Sequence, residues 1–241
     1  MTELKSVDFL NPIFYSPDKL SYFKFPFTSL DLIELNYSQL HQDMFVLSLL
    51  NGMKGGFYID IGASFPLHMN NTYLLENLFM WRGVSIEVNQ SKVEKHRFYR
   101  KNPCYLLDAL SLNYSSFMAS IVAPKMIDYL SIDIEPAQYS LKVLREILKD
   151  KSYSFKVISF EHDYYNGGHK ERAESRELLS SLGYSLLVPN VSWGHCCIED
   201  WWIKPELIDP YRLHLMAREN QEGETLTNIF DYFYTKYSFI N

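Results

Sequence analysis

Four residues stand where two apolar runs give way to polar chain. Asp133 and Glu135 follow YLSI, and Glu161 and His162 follow KVISF. Asp133 and Glu135 are two apart, so an extended chain points both carboxylates to one face. Carboxylates beside an imidazole suit proton transfer, and His162 is the general-base candidate because its ring titrates near neutrality. Asp133 or Glu161 would then hold the imidazole or an acceptor in place. The same groups could take a divalent cation. Were Mg²⁺ present, Asp133, Glu161 and His162 would be its ligands, but a metal-free base is the expected arrangement. Burying so much like charge is costly, so protons, a cation or substrate hydroxyls must share the site.

A second group precedes it, in YIDIGASFPLHMNNTYLLE from Tyr58 to Glu76. An apolar run ending in Asp60, Gly62 and Ala63 starts as a nucleotide-binding turn does, and Asn71 and Thr72 open the helix beyond it. Glu87 closes the next apolar run, where an acid can accept bonds from ribose hydroxyls. Asp108 and Ala109 close the third, where a carboxylate can accept from an adenine amino group. A pyrophosphate would need further glycines, yet Ser64, Phe65 and Pro66 stand in their place with no basic residue adjacent. S-adenosyl-L-methionine has no phosphate and tolerates the bulkier loop. Asp60, Gly62, Ala63, Asn71, Thr72, Glu87, Asp108, Ala109 and Asp133 are therefore the expected cofactor contacts. An NAD-binding oxidoreductase is a less favoured alternative, and a catalytically inactive binding protein on the same fold is another.

Regular elements must hold these residues. Strands are expected at FYIDIG, GVSIEVN, CYLLDAL, IDYLSIDIE, KVISFEH, YSLLVPN and EDWWIKP. Helices are expected between them: SQLHQDMFVLSLL, NNTYLLENLFMW capped by Asn70 or Asn71, SKVEKHRFYRK capped by Ser91, AQYSLKVLREILKD, and KERAESRELLSSLG ended by Gly183. Strands alternating with helices imply a mostly parallel, seven-stranded sheet with helices on both faces, and ligands at the carboxyl ends of its strands. The expected layout is one domain over 1–241: an irregular arm at 1–37, a Rossmann-like core at 38–204 and a helical tail at 205–241.

The chain has 241 residues, 47% of them hydrophobic, enough for one α/β domain and too many for a disordered chain. Its net charge of -6 points to a small-molecule or glycan partner and to no nucleic acid, because phosphate backbones are bound by basic residues. No apolar run suits a membrane or an export signal, so a cytoplasmic protein is expected. Three cysteines make no disulfide framework, and His195-Cys196-Cys197 lacks partners for zinc. Arg172 and Arg176 could clamp an anion, and one of Trp201 and Trp202 could form a stacking platform.

From Ser38 to Ile203 the chain resembles the FkbM-like methyltransferases. The resemblance lies in SQLHQDMFVLSLLNGMKGGFYIDIGA, NNTYLLE, GVSIE, IDYLSIDIEPAQ, FKVISFEHD and EDWW. It implies the Rossmann-like class I methyltransferase fold, S-adenosylmethionine as cofactor, and O-methylation of a sugar or small metabolite. It also implies that Gly62, Glu87 and Asp108 touch the cofactor and that Asp133 and Glu135 lie in the catalytic pocket.

Overall fold

The computed structural model describes residues 13, 14, 16–217 and 225–235. The start of the expected arm and parts of the expected tail, 218–224 and 236–241, lie outside the described residues.

In chain order the elements are β1 (Ile13–Phe14), α1 (Pro17–Leu20), β2 (Leu35–Asn36), α2 (Gln42–Leu49), β3 (Phe57–Ile61), α3 (Tyr73–Asn77), β4 (Arg82–Glu87), α4 (Gln90–Tyr99) and β5 (Cys104–Leu106). They continue with α5 (Tyr114–Ser120), β6 (Met126–Ile132), α6 (Ala137–Ile147), β7 (Ser154–Glu161), α7 (His169–Ser181), β8 (Ser185–Trp193), β9 (Cys196–Ile203), α8 (Pro210–Ala217), β10 (Thr227–Asn228) and α9 (Ile229–Phe233).

One sheet carries the fold, in the order β10-β8-β9-β7-β6-β3-β4-β5. Only β9 runs antiparallel among its strands, pairing β7 on one side and β8 on the other. The fold is Rossmann-like, as expected, but among the described residues the sheet has eight strands rather than seven. The extra one, β10, pairs in parallel with the end of β8. Two residues of Thr-Asn carry too little pattern to announce a strand.

Strands β3, β6 and β7 are apolar runs because helices cover both faces. Alternate residues enter different cores. Tyr58, Tyr129, Val157 and Trp201 pack with the aromatic segment around Phe23, Phe25 and Phe27, and with α2 and α9. Ile59, Leu130, Ile158 and Trp202 pack on the other face with α5, α6 and α7. Both tryptophans are buried, so neither is the exposed platform considered above. Helix α6 buries Ala137, Leu141, Leu144 and Ile147 at three-to-four spacing.

The helix ends differ locally from expectation. Asn89, not Ser91, caps α4 by accepting the Lys92 N–H at 3.2 Å. Helix α3 begins only at Tyr73, and Asn70 instead donates to the carbonyls of Ala63 and Phe65, bracing the preceding loop. No described helix is long and apolar enough to cross a membrane.

Candidate functional site

The strand order reverses direction between β3 and β6, and a crevice opens there at the carboxyl ends. A cleft of about 560 Å³ occupies it. Seven of the expected residues line it: Gly62, Glu87, Asp108, Ala109, Asp133, Glu135 and Glu161. Asp60, Ala63, Asn71, Thr72 and His162 do not.

Gly62 sits where β3 meets β6. Its φ is +85°, and a Cβ there would lie 1.8 Å from the Asp133 carbonyl oxygen. A glycine is therefore required by the neighbouring backbone. Ser64 follows with φ 48°, a left-handed conformation usually left to glycine. What replaces glycine is bracing from the next strand and helix. Glu87 Oε2 accepts the Ser64 N–H at 2.9 Å, while Lys92 Nζ donates to Ser64 Oγ at 2.9 Å and lies 5.2 Å from the centre of the Phe65 ring. Lys92 also lines the cleft. The sequence reading saw no base near this loop because Lys92 is 28 residues away along the chain.

Glu87 is buried, and its other oxygen accepts the Asn89 N–H at 2.7 Å. Each carboxylate oxygen keeps a further lone pair for a ligand hydroxyl. Asp108 is exposed. Its oxygens accept from Ser111 Oγ at 2.7 Å and Leu110 N at 2.9 Å, which holds its carboxyl below its usual range.

Asp60 serves the scaffold instead of the cleft. It accepts from Thr72 Oγ1 at 3.1 Å, and burial pushes its carboxyl up to about 6 against the pull of Arg100. Arg100 is the hub of this buried polar layer. It donates to Glu76 at 2.8 Å, to Asn70 Oδ1 at 2.9 Å, and to Pro66 O, Tyr58 Oη and Thr72 Oγ1 at 3.0–3.1 Å. Asn71 donates to Ser131 Oγ at 3.2 Å, across to β6. Ala63 hydrogen-bonds the Ile86 carbonyl.

On the opposite wall, Asp133 follows the last residue of β6, its N–H bonded to Ile61 O. Enclosure, then the charges of Asp60, Asp163 and Glu135, push its carboxyl up to about 7 against the attraction of Lys92. Glu161 ends β7 with Oε2 buried and without a hydrogen-bond partner. Directly across the antiparallel register from it stands Glu199, which the sequence reading did not single out. Glu199 accepts from Gln42 Nε2 at 2.8 Å and Trp201 Nε1 at 2.7 Å, and burial pushes its carboxyl up to about 8. Asp133 and Glu199 thus keep their protons to about neutral pH, which relieves part of the buried like charge.

His162 turns away from the cleft. It is 0% exposed, its Nδ1 accepts the Tyr164 N–H at 3.3 Å, and its Nε2 lies 3.5 Å from Asp200 Oδ1. Burial opposes charge on Asp200, but His162 and Arg176 outweigh it and pull that carboxyl down to about 2. Arg176 and Arg172 point into the same interior knot, both donating to Asn190 Oδ1. They form no clamp in the cleft. Among the described residues no group of three or more His, Cys, Asp or Glu is arranged to hold a metal ion. The conditional set Asp133, Glu161 and His162 is split because the ring faces Asp200.

No family model matches the chain, and no curated protein matches it. Solved structures do resemble it. One is a METTL16 MTase domain, at 14% identity and TM-score 0.47, covering 69% of this chain and 68% of that one. The Dnmt2 methyltransferase of S. pombe shows 15% identity and TM-score 0.46 over 76% of this chain and 60% of its own. A protein described as an rRNA-methylase from Clostridium thermocellum shows 9% identity and TM-score 0.47 over 71% of this chain and 99% of its own.

The expectation of no nucleic-acid partner is corrected at this point. A protein similar to this chain is described as an rRNA-methylase, and a net charge summed over the whole chain does not decide the partner of one cleft. The FkbM-like resemblance rests on the quoted motifs alone.

Proposed function

We propose that the chain is an S-adenosylmethionine-dependent methyltransferase. One observation carries the reading. Gly62, Glu87 and Asp108 follow or end three adjacent strands on one wall of a single cleft, and Asp133, Glu135 and Glu161 form the other wall. The cofactor, when bound, supplies an electrophilic methyl on a sulfonium.

Glu87 would accept from the ribose hydroxyls and Asp108 from the adenine amino group, each with lone pairs its present partners leave open. The Gly62 backbone passes beside them without a side chain. Asp133 and Glu161 would offset the sulfonium's charge. Phe65 lines the cleft at the loop where a pyrophosphate would need bare glycine backbone, which weighs against NAD.

For a hydroxyl acceptor, the acceptor oxygen bonds the methyl carbon as the sulfur–carbon bond breaks, and the hydroxyl proton passes to a base. Asp133 takes that role in place of His162, because it lines the cleft and titrates near working pH. The acceptor in this reading is a small molecule or glycan. Residues 38–204 would form the methyltransferase core of one domain.

Calorimetry with S-adenosylhomocysteine and with NAD tests the reading. Binding of the first and not the second supports it. Binding of neither at millimolar ligand, or of NAD alone, overturns it. Binding without turnover across hydroxylated acceptors would favour the inactive alternative.

A further inference from the structure

The acidity of the cleft continues beyond the two strand tips. Asp163, two residues past Glu161, is 4% exposed. It lines a second cavity of about 430 Å³, which shares Glu135 with the cleft. Its Oδ1 is buried and has no hydrogen-bond partner among the described residues. Glu161 Oε2 is in the same condition on the cleft side. Asp163 is also close enough to push up the titration of Asp133 and Tyr165. With Glu171, which lines the second cavity, four carboxylates gather about Glu135.

Few cations offset them. Lys92 lines the cleft, but its Nζ is held by Ser64 at the far wall. The first turns of α6 and α7 face the second cavity, and each helix end contributes about half a positive charge. The cofactor's sulfonium and ammonium are partly offset by its own carboxylate. The junction remains negative. An anion would be repelled, a neutral polyol would leave the charge unmatched, and no metal-holding group forms among the described residues. Tyr139 and Tyr165, both exposed, line the cleft beside these acids, and aromatic faces attract organic cations.

We propose that the acidic junction around Glu135 is a seat for an ammonium group, and that the acceptor carries such a group beside the hydroxyl that takes the methyl. The word acceptor rests on the methyltransferase reading; the amine seat does not. The ammonium would donate to the carboxylates of Glu161 and Asp163, each of which has one oxygen without a donor, and a tyrosine face would cover its carbon skeleton.

An isosteric pair tests this: 2-phenylethylammonium against 2-phenylethanol, titrated into the full chain with and without S-adenosylhomocysteine. The ammonium should bind at least about ten-fold tighter, the preference shrinking as added salt screens the carboxylates. Glu161→Gln combined with Asp163→Asn should remove about ten-fold of that affinity by neutralising two charged acceptors, while a parent-like circular dichroism spectrum and a cooperative melt report an intact fold. Should the pair lose its fold, Asp163→Asn alone is read the same way, with about a three-fold loss expected. Equal binding of the two probes, binding of neither, or full affinity in the variants overturns the seat. An ammonium preference that persists while S-adenosylhomocysteine fails to bind would instead overturn the methyltransferase reading alone.

Discussion

Glu87 Oε2 accepts the backbone N–H of Ser64 at 2.9 Å, tying the tip of β4 to the loop after β3. The acid expected to face a ribose is thus also a brace for a loop whose left-handed residue is not glycine. Glu87→Ala removes both functions. It should weaken S-adenosylhomocysteine binding by ~1–3 kcal/mol, the usual cost of leaving such polar partners unpaired. Calorimetry measures it, and an affinity within two-fold of the parent would remove Glu87 from the site.

The Arg100–Glu76 pair predicts a stability effect. Both side chains are buried, 2.8 Å apart, and Arg100 also holds Pro66, Asn70, Tyr58 and Thr72. Removing one partner of a buried ion pair strands the other charge, typically at ~3–5 kcal/mol. Arg100→Met should lower the urea midpoint accordingly. It should also weaken cofactor binding, because the loop from Ser64 to Asn70 loses its anchor. A change under about 1 kcal/mol would mean the pair is dispensable.

Asp133 and Glu199 make stability depend on pH. Their carboxyls titrate at about 7 and about 8 when folded, against roughly 4 in an unfolded chain. Between those values the folded state keeps protons that the unfolded state has released, so stability falls as pH rises from about 4 to about 8. Asp60 and Asp43, both at about 6, act in the same direction. The melting temperature should therefore be higher at pH ~5.5 than at pH ~8.5, and Glu199→Gln should flatten the slope. Asp200, held at about 2 by His162 and Arg176, acts oppositely: its contribution stands above about pH 4 and is lost only as pH falls toward 2. A flat profile from pH 5 to 9 would contradict the assignment.

Kinetics separate the two base candidates. Asp133→Asn should cut kcat by ~10²–10⁴, as for loss of a general base, while affinity for S-adenosylhomocysteine, which carries no sulfonium, changes little. His162→Ala should leave kcat within a few-fold and lower thermal stability, since it opens a hole beside Asp200 in a fully buried knot. In the parent the rate should rise with pH through about 7. The reverse pattern in the two variants would restore the imidazole as base.

Much of this protein was determined by local chemistry. Runs such as FYIDI and MIDYLSI are strands because apolar and β-branched residues between two helical layers permit little else. The polar residues that end or follow such runs fall at the strand ends, which is why Gly62, Glu87, Asp108, Asp133 and Glu161 were legible before any fold was known. Where a side chain turns after the strand stops was not legible. His162 follows Glu161 directly, yet one faces Asp200 in the interior and the other faces the cleft. Only the tertiary structure also placed Lys92 on Ser64, Glu199 opposite Glu161, Arg172 and Arg176 on Asn190, and β10 on the sheet edge. Each of those pairings joins residues between 14 and 38 positions apart. Sequence periodicity sets which face of its own element a residue occupies, but the partner it meets there is set by how separate elements pack.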